Sequence, residues 1–229
     1  MAIRGGPDII EDGLVLHLDA ADKNSYPLSG DTWYDLSGND NHVTLYNSPT
    51  YSSLNGGTLS FDGTNDYGFV NISSMYNTMT WCLWIYKGGT GRTIISDAVV
   101  NGFRGDIIFY STTHRVMSQM YSYPQGYRNI MSDAATPLAN GSLYSIIMTT
   151  DVNQGDQARK LYINGVQQTN TISIQSAAGT GSFWIGARGY AGPTAFFNGR
   201  ISQLSVYNIA LTADEVQQTY NATKGRYGL

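Results

Sequence analysis

Between Met79 and Tyr86 the chain reads Met-Thr-Trp-Cys-Leu-Trp-Ile-Tyr. Met79, Trp81, Leu83 and Ile85 share one parity, and Cys82, Trp84 and Tyr86 share the other. A strand points successive side chains to opposite faces, so this one is apolar on both. Such a strand belongs inside a sheet, with a covering layer on each side.

Alternation of the same kind recurs along the 229 residues, and helical periodicity is nearly absent. Leu14, Leu16 and Leu18 alternate with Val15, His17 and Asp19. Leu59 and Phe61 precede a polar knot, and Tyr67 and Phe69 follow it. Further strands are predicted at 93–96, 106–110, 116–121, 143–150, 160–163, 166–169, 183–187 and 200–207. Asn164-Gly165 predicts a tight hairpin, because a type I′ turn needs positive φ at both central residues. Ile201 has the opposite parity to Leu204 and Val206, which predicts a bulge between them.

One helix is expected near the end. Thr212 and Glu215 have capping-box spacing, and Leu211 and Val216 are placed for a hydrophobic staple. The helix should run to about Thr223, stop before Gly225 and dock through Val216 and Tyr220. The pattern predicts an all-β fold, a two-sheet antiparallel jelly-roll sandwich with one short C-terminal helix. Residues 1–12 read as an N-terminal arm suited to docking, and residues 13–229 as the sandwich.

Charged residues make up 13% of the chain, against roughly 25% in ordinary soluble domains. Seventeen Tyr and abundant Ser, Thr and Asn fill the difference, which suits a surface that binds through hydrogen bonds and aromatic faces. The net charge is −4 and no basic cluster occurs, which argues against nucleic acid as a partner. Cys82 is the only cysteine, so no disulfide framework or Cys-based zinc site is expected, and its apolar flanks predict burial. The opening residues lack an apolar signal core, and no apolar run reaches membrane-spanning length. Synthesis in a cytoplasm without membrane insertion is the expectation.

Five segments follow one another in a recognisable order: GLVLHLDA from Gly13, WYDLSGNDNHVTLYN from Trp33, LSFDGTNDY from Leu59, LYINGV from Leu161, and FNGRISQLSVYNIALTADEVQQTYNATKGRYG from Phe197. Together they resemble the concanavalin A-like lectin/glucanase superfamily in its laminin-G-like form, and are similar to proteins of tailed-bacteriophage virions. The closing segment is the most specific part. The resemblance implies two curved antiparallel sheets but no single function, since this sandwich carries lectins, hydrolases and structural modules.

Hydrolases on this fold pair two Glu on one strand, one as nucleophile and one as acid. This chain has only Glu11, in the arm, and Glu215, in the expected capping box. No Gly-x-Ser-x-Gly elbow occurs, and His17, His42 and His114 lack metal-ligand spacing. The expectation is a protein without enzymatic activity, with His17 in a structural role.

Asp62, Asn65 and Asp66 in FDGTNDY offer hard oxygens for calcium, a possible cofactor; the same residues also build a turn through Asx bonds. Asp35, Asn39, Asp40 and Asn41 form a second knot that reads more strongly as loop chemistry. Tyr121, Tyr123, Tyr127 and Arg128 surround a Pro-Gln-Gly turn, and Arg188 and Tyr190 form a smaller group of the same kind. Such residues suit a glycan, a neighbouring subunit or loop packing. Arg104-Gly105-Asp106 spells a known adhesion tripeptide and reads as chance.

The sequence thus leads to a virion structural protein, decorating a capsid or associated with a fibre, whose partners are other virion proteins and further copies of itself. The alternative is a glycan-binding adhesin on the virion, and the weakest reading is a glycoside hydrolase.

Overall fold

The computed structural model describes residues 8–72, 78–89, 93–97, 104–110, 114–122, 126–133, 137–170, 181–189 and 192–229. The order begins with β1 (Leu14–Asp19), β2 (Thr32–Trp33), β3 (Val43–Tyr46), β4 (Thr50–Ser52), β5 (Thr58–Asp62) and β6 (Tyr67–Asn71). It continues with β7 (Thr78–Lys87), β8 (Thr93–Asp97), β9 (Arg104–Tyr110), β10 (Arg115–Ser122), β11 (Gly126–Met131) and β12 (Leu143–Asp151). β13 (Arg159–Ile163), β14 (Val166–Gln167), β15 (Ser182–Ile185), β16 (Arg188–Gly189), β17 (Pro193–Thr194), β18 (Asn198–Tyr207) and α1 (Ala213–Lys224) close it.

The first sheet runs β14-β13-β12-β7-β18-β5-β4, with β1 also paired to β18. The second runs β11-β10-β9-β8-β15-β6-β3-β2. β16 and β17 form a separate small ribbon. The pairings are antiparallel, for example β12 with β7, β18 with β7 and β15 with β6. Side chains from the facing sides fill one core, including Leu16, Leu18, Phe61, Trp81, Leu83 and Met148 from the first sheet and Val43, Val70, Val116, Phe183 and Ile185 from the second. Each such residue contributes about 1.5–3 kcal/mol by leaving water.

β7 is central and covered on both faces, as its double apolar parity requires. Met79, Trp81, Leu83 and Ile85 enter the main core. On the opposite side Cys82 joins Ile147, Tyr162, Tyr207, Leu211 and Val216 beneath α1. The helix has its full capping box: Thr212 Oγ1 accepts from the Glu215 amide, and Glu215 Oε2 accepts from the Thr212 amide at 2.7 Å. The hairpin turn has φ of 50° at Asn164 and 77° at Gly165. A β-carbon on Gly165 would lie 2.7 Å from the Tyr220 ring, so the turn and the helix pack together only through a glycine there. The bulge in β18 falls between Ile201 and Gln203.

Several local expectations shift. β1 carries an irregularity between Leu14 and Leu16. Leu14 therefore packs in the cluster under α1, and Val15 packs against the main core. The strand predicted at 166–169 ends at Gln167, because the Gln168 side chain turns in to accept from the Asp133 amide at 2.8 Å. The strand predicted at 183–187 ends at Ile185, before Gly186 at φ 79°. β2, β3, β4, β11, β16 and β17 have no counterpart in the sequence expectations; each is short or polar enough to hide its alternation.

Candidate functional site

The outer side of the first sheet is closed by the C-terminal segment. The Trp84 indole stacks on Tyr220, with ring centroids 5.8 Å apart, and lies 4.3 Å from Tyr227, while its Nε1 donates to Thr223 Oγ1 at 2.8 Å. Residues 8–10 lie on the same helix: Gln218 Nε2 donates to the Asp8 carbonyl at 3.0 Å, and Ile10 packs into the cluster below. What remains is a space of about 20 Å³ beside His17, Cys82, Ser205 and Thr219, room for about one water. His17 is held there by a 2.8 Å hydrogen bond between Nδ1 and Ser205 Oγ, and its amide donates to Asp35 Oδ1. Burial lowers the His17 pKa against the opposing pull of Asp19 and Asp35. Burial alone pushes the Cys82 thiol far up, so it is no nucleophile.

The two Glu residues are not paired for catalysis. Glu215 is bound into the capping box, and Glu11 precedes β1 outside any strand.

The knot after β5 has the geometry of an Asx turn. Asp62 Oδ1 accepts from the amides of Thr64, Asn65 and Asp66, at 2.7, 3.2 and 3.4 Å, and Asp66 Oδ2 accepts from the Asp62 amide at 3.1 Å. The Thr64 amide leads the interactions that hold the Asp62 carboxyl below its ordinary range; burial pushes Asp66 up. Asn65 contributes its carbonyl, which accepts from Asn47 Nδ2 at 2.7 Å. Among the described residues no three His, Cys, Asp or Glu side chains cluster in a way that could hold a metal. In the second knot Asp35 accepts from the amides of His17, Ser37 and Asn41, while Asn39 and Asn41 donate to the carbonyls of Leu14 and Val15. That knot fastens β1 to its neighbouring loop.

The tyrosine-rich stretch is the β10–β11 hairpin, with Tyr121 opposite Tyr127 and Met120 opposite Arg128. Tyr123 and Tyr190 lie outside the described residues. Arg104-Gly105-Asp106 lies in β9, paired to β10. β10 stands four places from β6 in the second sheet, roughly 19 Å at ordinary strand spacing, so the hairpin and the Asp62 turn are separate features. Arg188 spans part of that distance by donating from Nη2 to Gln119 Oε1 at 3.4 Å, and Gln119 in turn donates to Asn129 Oδ1 at 3.2 Å.

Between them lies a feature the sequence did not announce. Tyr46 faces Tyr67 across β3 and β6, and Phe69 faces Trp184 across β6 and β15. The Tyr46 and Tyr67 rings are stacked 4.6 Å apart at 9°. Trp184 lies 5.1 Å from Tyr67 and 5.0 Å from Phe69, and Phe196 lies 6.5 Å from Tyr67. The alternate positions, Leu45, Val70, Phe183 and Ile185, are buried, so the rings stand on the outward side of the sheet. Tyr46 is 41% exposed. The strip has polar ends: Ser182 Oγ donates to Asn71 Oδ1 at 2.6 Å on one side, and Arg188 with Gln119 stands on another. Gly189 makes the last contact possible. Its β-carbon would lie 2.0 Å from the Trp184 ring, so the β16 backbone lies directly against the indole. The available signal was large apolar or aromatic residues at both parities, Tyr67 and Phe69 against Val70 in β6 and Trp184 against Phe183 in β15, where core packing needs only one.

The family model described as the concanavalin A-like lectin/glucanases superfamily matches residues 37–217. No curated protein matches the chain. Among solved structures, the receptor-binding domain of botulinum neurotoxin C/D mosaic serotype is similar at a TM-score of 0.72 and 16% identity, over 92% of this chain and 51% of that one. The binding domain of botulinum neurotoxin DC in complex with SialylT gives 0.70 and 19%, over 93% and 52%. Domain 4 of AbnA, an extracellular arabinanase from Geobacillus stearothermophilus in complex with arabinotriose, gives 0.68 and 18%, over 92% and 100%. The chain spans about half the length of the neurotoxin domains. At these identities the likeness establishes the fold.

Proposed function

The chain belongs to the concanavalin A-like lectin/glucanases superfamily, and from that premise we propose that it is a non-catalytic, lectin-like module that binds glycans on the outer side of its second sheet. The observation that carries this reading is the registered row Tyr46, Tyr67, Trp184 and Phe69, aromatic in the middle and polar at its ends. Sugar rings offer apolar C–H faces to aromatic rings and hydroxyls to amides and guanidinium groups. The arabinanase domain solved with arabinotriose and the neurotoxin domain solved with SialylT support the reading by analogy of fold. Tyr121, Tyr127 and Arg128 extend the same sheet, so the β10–β11 hairpin is a second contact region for a glycan or a neighbouring subunit.

A glycan array probed with the wild-type chain and with Tyr46→Ala tests this. Binding that weakens about five- to tenfold in the variant supports it. Absence of any glycan signal, or signal indifferent to Tyr46, Tyr67 and Trp184, would overturn it.

The setting we propose is the surface of a tailed-phage particle, as a homo-oligomeric decoration or fibre-associated protein docked through residues 1–12. The order of motifs ending in YNATKGR supports that setting. Particle association should be lost on deleting residues 1–7 while thermal stability is kept, because residues 8–10 already lie on α1. Retained association would remove the arm from this role.

A further inference from the structure

A cleft of about 670 Å³ opens between the loop that precedes β2 and the segment that joins β3 to β4. Its walls include Tyr26, Leu28, Asp31, Asn47, Thr50 and Tyr51. The backbone around it is unusual. Leu28, Asn47 and Ser48 hold φ of 73°, 62° and 70°, a left-handed conformation that side chains rarely adopt. Such strain persists only where surrounding contacts impose it, and it concentrates at ligand sites.

Several hydrogen bonds hold the walls of the cleft. Asn47 Nδ2 donates to the Asn65 carbonyl at 2.7 Å, which leaves Asn47 Oδ1 as an acceptor. The Tyr26 hydroxyl donates to the Gly30 carbonyl at 3.1 Å, and the Leu45 amide to the Asp31 carbonyl at 2.6 Å. Tyr26 and Tyr51 stack, with centroids 6.2 Å apart. The cleft is therefore preformed, and its size is that of a small-molecule site.

The lining selects the ligand. It holds the hydroxyls of Ser29, Ser48 and Thr50, the Asn47 amide and the Asp31 carboxylate, and no Lys, Arg or His. An anion would find no positive partner there, and a hydrocarbon would leave the polar wall unpaired. A neutral polyol offers donors and acceptors together, and a carboxylate can accept two adjacent hydroxyls at once. We propose that this cleft is a second binding site, for a short neutral saccharide. It uses none of the rings of the aromatic strip, so either site can fail alone.

The test is a nitrogen-15 chemical-shift titration of the whole chain with glucose, galactose, mannose, arabinose and their disaccharides at millimolar concentrations. Saturable shifts at the amides of residues 28–31, 47, 48, 50 and 51 are expected for at least one neutral sugar. Asp31→Asn and Thr50→Val should each weaken that sugar about tenfold, Tyr46→Ala should leave it unchanged, and glucuronate should bind about tenfold more weakly than glucose. The proposal falls if no sugar in the panel moves these amides, if glucuronate binds as well as glucose, or if the shifts survive both cleft substitutions unaltered.

Discussion

The Arg226 guanidinium grips the Asp19 carboxylate at two points, with Nη1 2.5 Å from Oδ2 and Nη2 2.8 Å from Oδ1. Arg226 also donates to the Gly56 carbonyl, and Gln203 Nε2 donates to Asp19 Oδ2 at 2.8 Å. One ion pair thus joins the end of the chain, the end of β1 and the loop before β5. Burial pushes the Asp19 pKa up, but Arg226 overcomes it and the net shift is downward. The pair therefore contributes stability above the ordinary aspartate range, lost as pH falls through the depressed native value. Arg226→Ala should cost about 2 kcal/mol at neutral pH, between the exposed and buried extremes for ion pairs, and much less in strong acid. Urea denaturation of both proteins across pH 2 to 7 reads the difference.

His17 gives a separate signal at milder pH. Its folded pKa is lowered by burial, with Asp19, Asp35 and Asp22 opposing and Arg226 assisting. The unfolded chain therefore takes up a proton first as pH falls below about 6.5, and stability declines from there toward the native value. His17→Gln should flatten the thermal midpoint between pH 6.5 and 5 relative to the wild type. An unchanged slope would place the titrating group elsewhere.

Gly189→Ala should disturb the aromatic strip at its Trp184 end. The added methyl would overlap the Trp184 ring, which cannot swing away while Tyr67 and Phe69 flank it. A loss of about 1–3 kcal/mol is expected, with altered tryptophan fluorescence. A variant with native fluorescence and stability would show that the ribbon does not lie on the indole.

Asp62→Ala removes the acceptor shared by three amides. The loop is exposed, so the loss should be about 1 kcal/mol. The turn geometry predicts the same loss in chelator and in millimolar calcium. A loss that appears only with calcium would assign the carboxylate to a metal instead.

Much of the fold is legible in the sequence because its causes are local. Asn164-Gly165 dictates its turn through positive φ, Thr212 and Glu215 cap a helix they begin, and the doubly apolar β7 can only be central. The bulge in β18 follows from a parity conflict within ten residues. Even the turn at Asp62 is written in its own five residues.

The candidate sites are another matter. Tyr46, Tyr67 and Trp184 are unremarkable strand residues until β3, β6 and β15 pair in register and turn them to the same outward side. Tyr26, Asn47 and Tyr51 meet in a cleft only because the loop before β2 folds beside the segment that carries the chain from β3 in the second sheet to β4 in the first. The sequence by itself determined the strands, turns and helix start, since these depend on the backbone preferences and alternation of neighbouring residues. Only the tertiary structure decided which aromatic and polar groups converge, since face and register are set by pairing between segments far apart in the chain.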